Sequence, residues 1–127
     1  MKPWLGLAAT AALAGCSTAP GVGWSRAPDL SVYSAMTLFG DIARNQSVLC
    51  SGFGSAGVER HWRGDFAARE AAVAAALAAR HGAEAVDRAE AAAVATQTVS
   101  CPGVPNDHWR VQYVRMLRLL ETRLGLA

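Results

Sequence analysis

Lysine is almost missing from this sequence of 127 residues: Lys2 is the only one, against eleven arginines. The rest of the chain therefore cannot form the Schiff bases or the phosphate-loop contacts that depend on lysine. The twelve basic and ten acidic side chains nearly balance, so there is no broad basic field of the kind that binds nucleic acid. The composition predicts no nucleic-acid partner and excludes lysine-based catalysis beyond residue 2.

The patterns of common active sites and metal sites are also missing. There is no H-E-x-x-H zinc motif and no G-x-S-x-G turn around a nucleophilic serine. Gly52–Gly57 fits the dinucleotide pattern G-x-G-x-x-G, but no strand is expected before it, so a glycine-rich turn is the better interpretation. His61, His81 and His108 lack the spacing of metal ligands. We predict no metal, no cofactor and no enzymatic activity; a small enzyme is the minor alternative.

The first fifteen residues have the pattern of an export signal. Lys2 supplies a positive charge, and an uncharged, mostly apolar stretch follows from Leu5 to Leu13. At about 1.5 Å per residue, this stretch is too short for a helix to cross a hydrocarbon core of about 30 Å. A charged start, a short apolar stretch and small residues at its end predict a secretory signal peptide over residues 1–15.

The end of this signal, Leu13-Ala14-Gly15-Cys16, resembles the lipobox of bacterial lipoproteins, in which an aliphatic residue and two small residues precede an obligatory cysteine. The resemblance covers only the first sixteen residues, and all four positions match. It implies that Cys16 receives a diacylglyceryl thioether, that the chain is cut before it, and that the new amine is acylated, as with palmitate. An ordinary signal peptide with an incidental cysteine is the alternative.

The same resemblance implies where the protein lies. Residue Ser17 follows the cysteine, whereas an aspartate there indicates retention at the inner membrane in some members of the family. The outer membrane, with the protein facing the periplasm, is therefore favoured, and the inner membrane is the alternative. Residues 16–29 are rich in Gly, Pro and Ser, so we expect a flexible tether between lipid and domain. Trp24 could lie at the membrane interface or dock on the domain.

Two further cysteines remain after Cys16. In an oxidising periplasm, two cysteines in a small domain usually pair, so we predict a disulfide between Cys50 and Cys101. A free or catalytic thiol is the alternative, although neither cysteine has a histidine close in sequence.

Apolar residues recur at three- and four-residue steps, which predicts helices over about 31–49, 56–81, 83–95 and 107–124. Gly64-Asp65 interrupts the second, which could therefore be two helices with Asp65 capping the latter one. Asn106 is the expected N-cap of the last helix, and residues 94–101 are expected to be extended. The predicted fold is all-α: a bundle of three to five helices over residues 30–127, held by one disulfide.

Arg110, Arg115 and Arg118 form the best candidate for a partner-contacting patch, although such a group is more often a solvated helix face. The expected function is that of a non-enzymatic envelope protein, anchored to a membrane by lipid and acting by contact with another envelope protein. The alternative is a periplasmic protein that binds a ligand or a client, since one disulfide in a small helical domain resembles the layout of acid-stress chaperones.

Overall fold

A computed structural model of the protein describes residues 20–95, 101 and 107–127, and every regular element in these ranges is an α-helix. The helices are α1 (Pro20–Arg26), α2 (Asp29–Ser51), α3 (Ser55–His81), α4 (Ala83–Ala95) and α5 (His108–Arg123). The predicted all-α bundle with one disulfide is confirmed. The lipobox with Cys16, the expected cap Asn106 and residues 96–100 of the expected extended segment lie outside the described residues.

Helix α2 lies at the centre of the bundle and packs against α3, α4 and α5. The core comes from the apolar stripes of these helices, and α5 supplies four of its most deeply buried side chains. Burying one large apolar side chain stabilises a fold by about 1.5–3 kcal/mol, so α5 is essential to the bundle. The largest fully buried side chains are those of Val32, Val73, Leu77, Tyr113, Met116, Leu117 and Leu120.

Close packing between α2 and its neighbours depends on Gly40. A Cβ atom at this position would lie only 3.0 Å from Tyr113 Cδ2 and 3.1 Å from Trp62 Cζ2. Trp62, Phe66 and Tyr113 form a compact aromatic cluster, with ring centroids 4.6–4.8 Å apart. The missing side chain of Gly40 thus gives this cluster the space it occupies against α2.

Helix α3 is continuous from Ser55 to His81, so the interruption considered at Gly64-Asp65 does not divide it. Asp65 is not a helix cap; its carboxylate accepts a hydrogen bond from Arg110 of α5 at 2.9 Å. Gly64 is exposed and has no atoms near its Cβ position, so it costs the helix some propensity but creates no packing defect.

An ion pair also joins α3 to α5. The guanidinium of Arg69 donates two hydrogen bonds to the carboxylate of Glu121, at 2.7 and 2.9 Å. These hydrogen bonds lower the pKa of Glu121, and the carboxylate therefore favours the folded state when it is ionised. This contribution is present above the ordinary pKa of a glutamate and is lost as the pH falls through the lowered value.

The segment expected as a tether ends in a helix that contacts the bundle. Trp24 of α1 packs edge-on against Phe39 of α2, with ring centroids 6.3 Å apart. Because Phe39 lies ten residues into α2, α1 folds back along α2. Of the two places considered for Trp24, the structure places it on the domain. Residues 20–26 of the expected tether are therefore helical.

Candidate functional site

The predicted disulfide between Cys50 and Cys101 is present, with the two Cα atoms 5.4 Å apart, a normal separation for a bridge. Cys50 is the last residue but one of α2. The bridge therefore attaches the stretch after α4 to the C-terminal end of α2. Because both sulfur atoms are in the bridge, neither cysteine is the free or catalytic thiol that was the alternative.

A glycine turn follows the disulfide at the corner between α2 and α3. Gly52 adopts a left-handed conformation with φ 74°, which glycine adopts without strain. The N–H groups of Gly52 and Phe53 both donate to the carbonyl oxygen of Ser47, and this pair of hydrogen bonds terminates α2. The described residues contain no strand, so the G-x-G-x-x-G pattern here serves as a helix-ending turn rather than part of a dinucleotide fold.

An open groove of about 680 Å³ lies between this corner and the start of α5. Trp62 lies in its wall, and the guanidinium carbons of Arg44 and Arg110 lie 5.3 and 5.8 Å from the centre of the Trp62 ring. Each arginine also has a carboxylate partner, Glu59 for Arg44 and Asp65 for Arg110. The groove thus combines aromatic surface with guanidinium groups whose charge is already balanced. Its other aromatic lining residues are Phe53 and Trp109.

A second, smaller cavity of about 110 Å³ lies inside the bundle, where two tyrosines donate hydrogen bonds to two glutamates. Tyr33 donates to Glu90 at 2.5 Å, and Tyr113 donates to Glu70, which also accepts from Trp62 Nε1 at 3.2 Å. Burial first, and then these carboxylates, raise the pKa of both phenols well above the usual range. The tyrosines therefore stay protonated as donors; the Tyr33 bond joins α2 to α4, and the Tyr113 bond joins α5 to α3.

The sequence analysis did not single out Glu70, although a carboxylate within an apolar helix stripe is a recognisable signal. It is four residues after Phe66 and three before Val73, in the middle of the apolar stripe of α3. A carboxylate in such a stripe must find donors, because an unpaired charge in a protein interior is costly. The Trp62 and Tyr113 donors that it finds explain its position.

The three histidines lie apart and do not form a site together. His81 Nε2 lies 3.3 Å from the carboxylate of Asp29, whereas the ring of His108 packs against Trp109 and His61 is on the surface. Within residues 20–95, 101 and 107–127, no three His, Cys, Asp or Glu side chains are placed to hold a metal ion.

The structure divides the predicted arginine patch. Arg110 crosses to α3, where it pairs with Asp65 and lies 4.8 Å from the centre of the Phe66 ring. Arg115 and Arg118 are exposed on the surface of α5. The role of this patch in partner binding stays a prediction, and these two arginines are the part of it that projects from the bundle.

Arg123, near the end of α5, holds α1 in place. Its guanidinium donates to the backbone carbonyls of Trp24, Ser25 and Ala27 at 2.6–3.0 Å. It also donates to the carboxylate of Asp29 at 3.2 Å. Carbonyls at the end of a helix lack partners within the helix, so a cation at this position satisfies them and favours the local helix dipole.

We expect Arg123→Met to release α1 from the bundle, because methionine keeps part of the apolar stem but donates no hydrogen bond. Losing charged hydrogen bonds should weaken docking by about 2 kcal/mol, or about thirtyfold. Amide hydrogen exchange in residues 20–26 should accelerate by that factor. Arg115→Met, an exposed change on the same helix, should leave this exchange unchanged. Equal exchange in both variants would show that the Arg123 contacts do not hold α1.

No described helix combines the length and the apolar character that crossing a membrane requires. The chain matches no protein-family model, no curated protein and no solved structure.

Proposed function

We propose that the protein is a periplasm-facing lipoprotein, anchored to the outer membrane through Cys16, whose helical bundle acts by contact with another envelope component. The lipobox Leu13-Ala14-Gly15-Cys16 supports the anchor. A bundle of this kind, with a disulfide at one end, suits an oxidising compartment. In this proposal the chain has no catalytic role.

The docking of α1 is the observation that carries the proposal. Cys16 precedes Pro20, the first residue of α1, by only four residues, which span at most about 14 Å when fully extended. Arg123 holds the other end of α1 against the bundle. A lipid on Cys16 would thus keep the bundle at the membrane surface, where a short tether favours contact with partners fixed in the same envelope.

The exposed arginines of α5 are the proposed contact surface for such a partner. Trp109 packs against Phe39 of the bundle, and Arg118 follows it nine residues later, which places Arg118 on the opposite side of α5. Arg115 is exposed on the same helix. Two exposed guanidinium groups fit an acidic surface, because they offer planar donors for carboxylates.

The proposed anchor is tested with Cys16→Ser, which should abolish labelling by radioactive palmitate and move the protein from the membrane fraction to the soluble periplasmic fraction. The reason is that a serine hydroxyl is far less nucleophilic than a thiolate and takes no thioether-linked lipid. Ser17→Ala, which keeps the cysteine, should stay labelled and membrane-bound.

Two outcomes contradict the proposal. A Cys16→Ser protein that still carries palmitate and sediments with membranes would show that the anchor lies elsewhere. An anchored protein that forms no crosslink to any other component of its own membranes would contradict the proposed contact.

A further inference from the structure

The corner between α2 and α3 exposes large apolar side chains without any charge nearby in sequence. Leu49 is 68% exposed and Phe53 is 63% exposed, and among the described residues only Val94, at 65%, is a comparably exposed bulky apolar side chain. From Gln46 to Val58 the sequence has no acidic or basic residue, and Cys50 is in the disulfide. Single exposed apolar residues are common, but contiguous exposed apolar surface often marks an interaction site.

This corner belongs to a longer apolar surface that begins at α1. Trp24 contacts Phe39, and Phe39 contacts Trp109 with ring centroids 5.4 Å apart. Trp109 and Phe53 line the same groove. We call this surface, made of Trp24, Phe39, Trp109 and Phe53, the apolar face, and Leu49 is exposed beside it at the same corner. Phe39 is twelve residues from the end of α2, so the apolar face extends about 18 Å along that helix.

We infer that the apolar face rests on a phospholipid bilayer, with Leu49 and Phe53 inserted at the boundary between headgroups and acyl chains. The inference rests on the proposed anchor at Cys16. A body joined to its lipid by only four residues must present one of its sides to the bilayer, and the side that carries α1 is the one joined to the lipid.

The residue types of the apolar face agree with this orientation. Tryptophan is enriched where membrane meets water, because its ring is apolar and its indole N–H is polar. Trp24 and Trp109 are both half-buried on the bundle and lie on this face. Arg118 is on the opposite side of α5 from Trp109, so the proposed partner surface would point away from the lipid. Insertion of Leu49 and Phe53 would bury apolar surface, while Arg44, Arg110 and Asp107, which line the same groove as Phe53, would lie at the level of the headgroups.

Fluorescence quenching by brominated lipid tests the inference in the full, lipidated protein. The protein is placed in phosphatidylethanolamine–phosphatidylglycerol vesicles that contain phospholipid brominated on its acyl chains. Phe53→Trp adds a fluorophore at the corner. Arg118→Trp adds one at an exposed position on the side of α5 opposite Trp109, which the inference places away from the lipid. Quenching of the parent protein is subtracted from both.

We expect the added fluorescence of Phe53→Trp to be quenched at least about twofold more than that of Arg118→Trp, because only an inserted side chain reaches the bromine atoms. Equal quenching of the two variants would overturn the inference. So would a vesicle-bound Phe53→Trp protein whose added fluorescence is unquenched, the outcome expected if a protein partner covers this corner. A chain that has no lipid and does not float with vesicles would instead overturn the anchor at Cys16.

Discussion

Removing the disulfide with Cys50→Ser and Cys101→Ser should lower the free energy of unfolding by about 4 kcal/mol. The two cysteines are 51 residues apart. A bridge that closes a loop of this length raises the free energy of the unfolded chain by about 4 kcal/mol, because it restricts the conformations of that chain. A domain of this size has only about 5–15 kcal/mol of stability in total. The loss is therefore a large part of what keeps the bundle folded at growth temperature.

Urea denaturation followed by circular dichroism measures the change, with the midpoint falling while the helical signal of the folded state is kept. The helical signal should persist because the fully buried core side chains lie away from the bridge. The parent protein under reducing conditions is the matched control, and it should unfold at the same midpoint as the double variant. A loss below about 1 kcal/mol would mean that the unfolded chain is already compact around this loop.

Gly40→Val should destabilise the bundle by about 3 kcal/mol, because its Cβ alone would come within 3.0 Å of Tyr113 and 3.1 Å of Trp62. The γ-methyl groups would enter the same space. The indole N–H of Trp62 and the hydroxyl of Tyr113 both donate to Glu70. A shift of either side chain that relieves the clash therefore also disturbs these hydrogen bonds. The expected readouts are a lower urea midpoint and a red-shifted emission from Trp62.

Gly64→Ala is the control for Gly40→Val, since it also replaces a glycine within a helix. The Cβ position of Gly64 meets no atom within 4 Å, and its φ is not positive. Alanine there should raise the stability by about 0.5–1 kcal/mol through helix propensity alone. The two changes should thus have opposite signs. If Gly40→Val also stabilised the protein, that result would contradict the close packing of α2 against the aromatic cluster.

The helices themselves were largely predictable from the sequence, because their apolar stripes are periodic. The limits predicted for the third helix agree with α4, Ala83–Ala95, and the stripe expected for the last helix supplies the buried side chains of α5. The disulfide was predictable from the cysteine count together with the expected export signal. The break considered at Gly64-Asp65 does not occur, because the buried stripe of α3 continues on both sides of it, through Trp62 and Phe66.

The contacts that define the candidate surfaces were not predictable in the same way. The bond from Arg123 to the carbonyl of Trp24 joins residues 99 positions apart, and no local pattern marks it. Likewise, Arg110 belongs to the exposed side of α5 by periodicity, yet its long side chain reaches Phe66 of α3. Such contacts depend on how helices pack, whereas composition and periodicity report only on each helix by itself. The lipobox shows the opposite situation. It is recognisable from the sequence alone, and its residues lie outside the described structure.

The contact between Arg123 and α1 also determines the order in which the chain can fold. The guanidinium of Arg123, the last residue of α5, reaches the carbonyls of Trp24 and Ala27 only after α5 has formed. Contacts between residues so distant in sequence form late, because ordering the intervening chain costs entropy. Docking of α1 against the bundle should therefore be among the last steps of folding. In the proposed lipoprotein, α1 would stay undocked until α5 has formed.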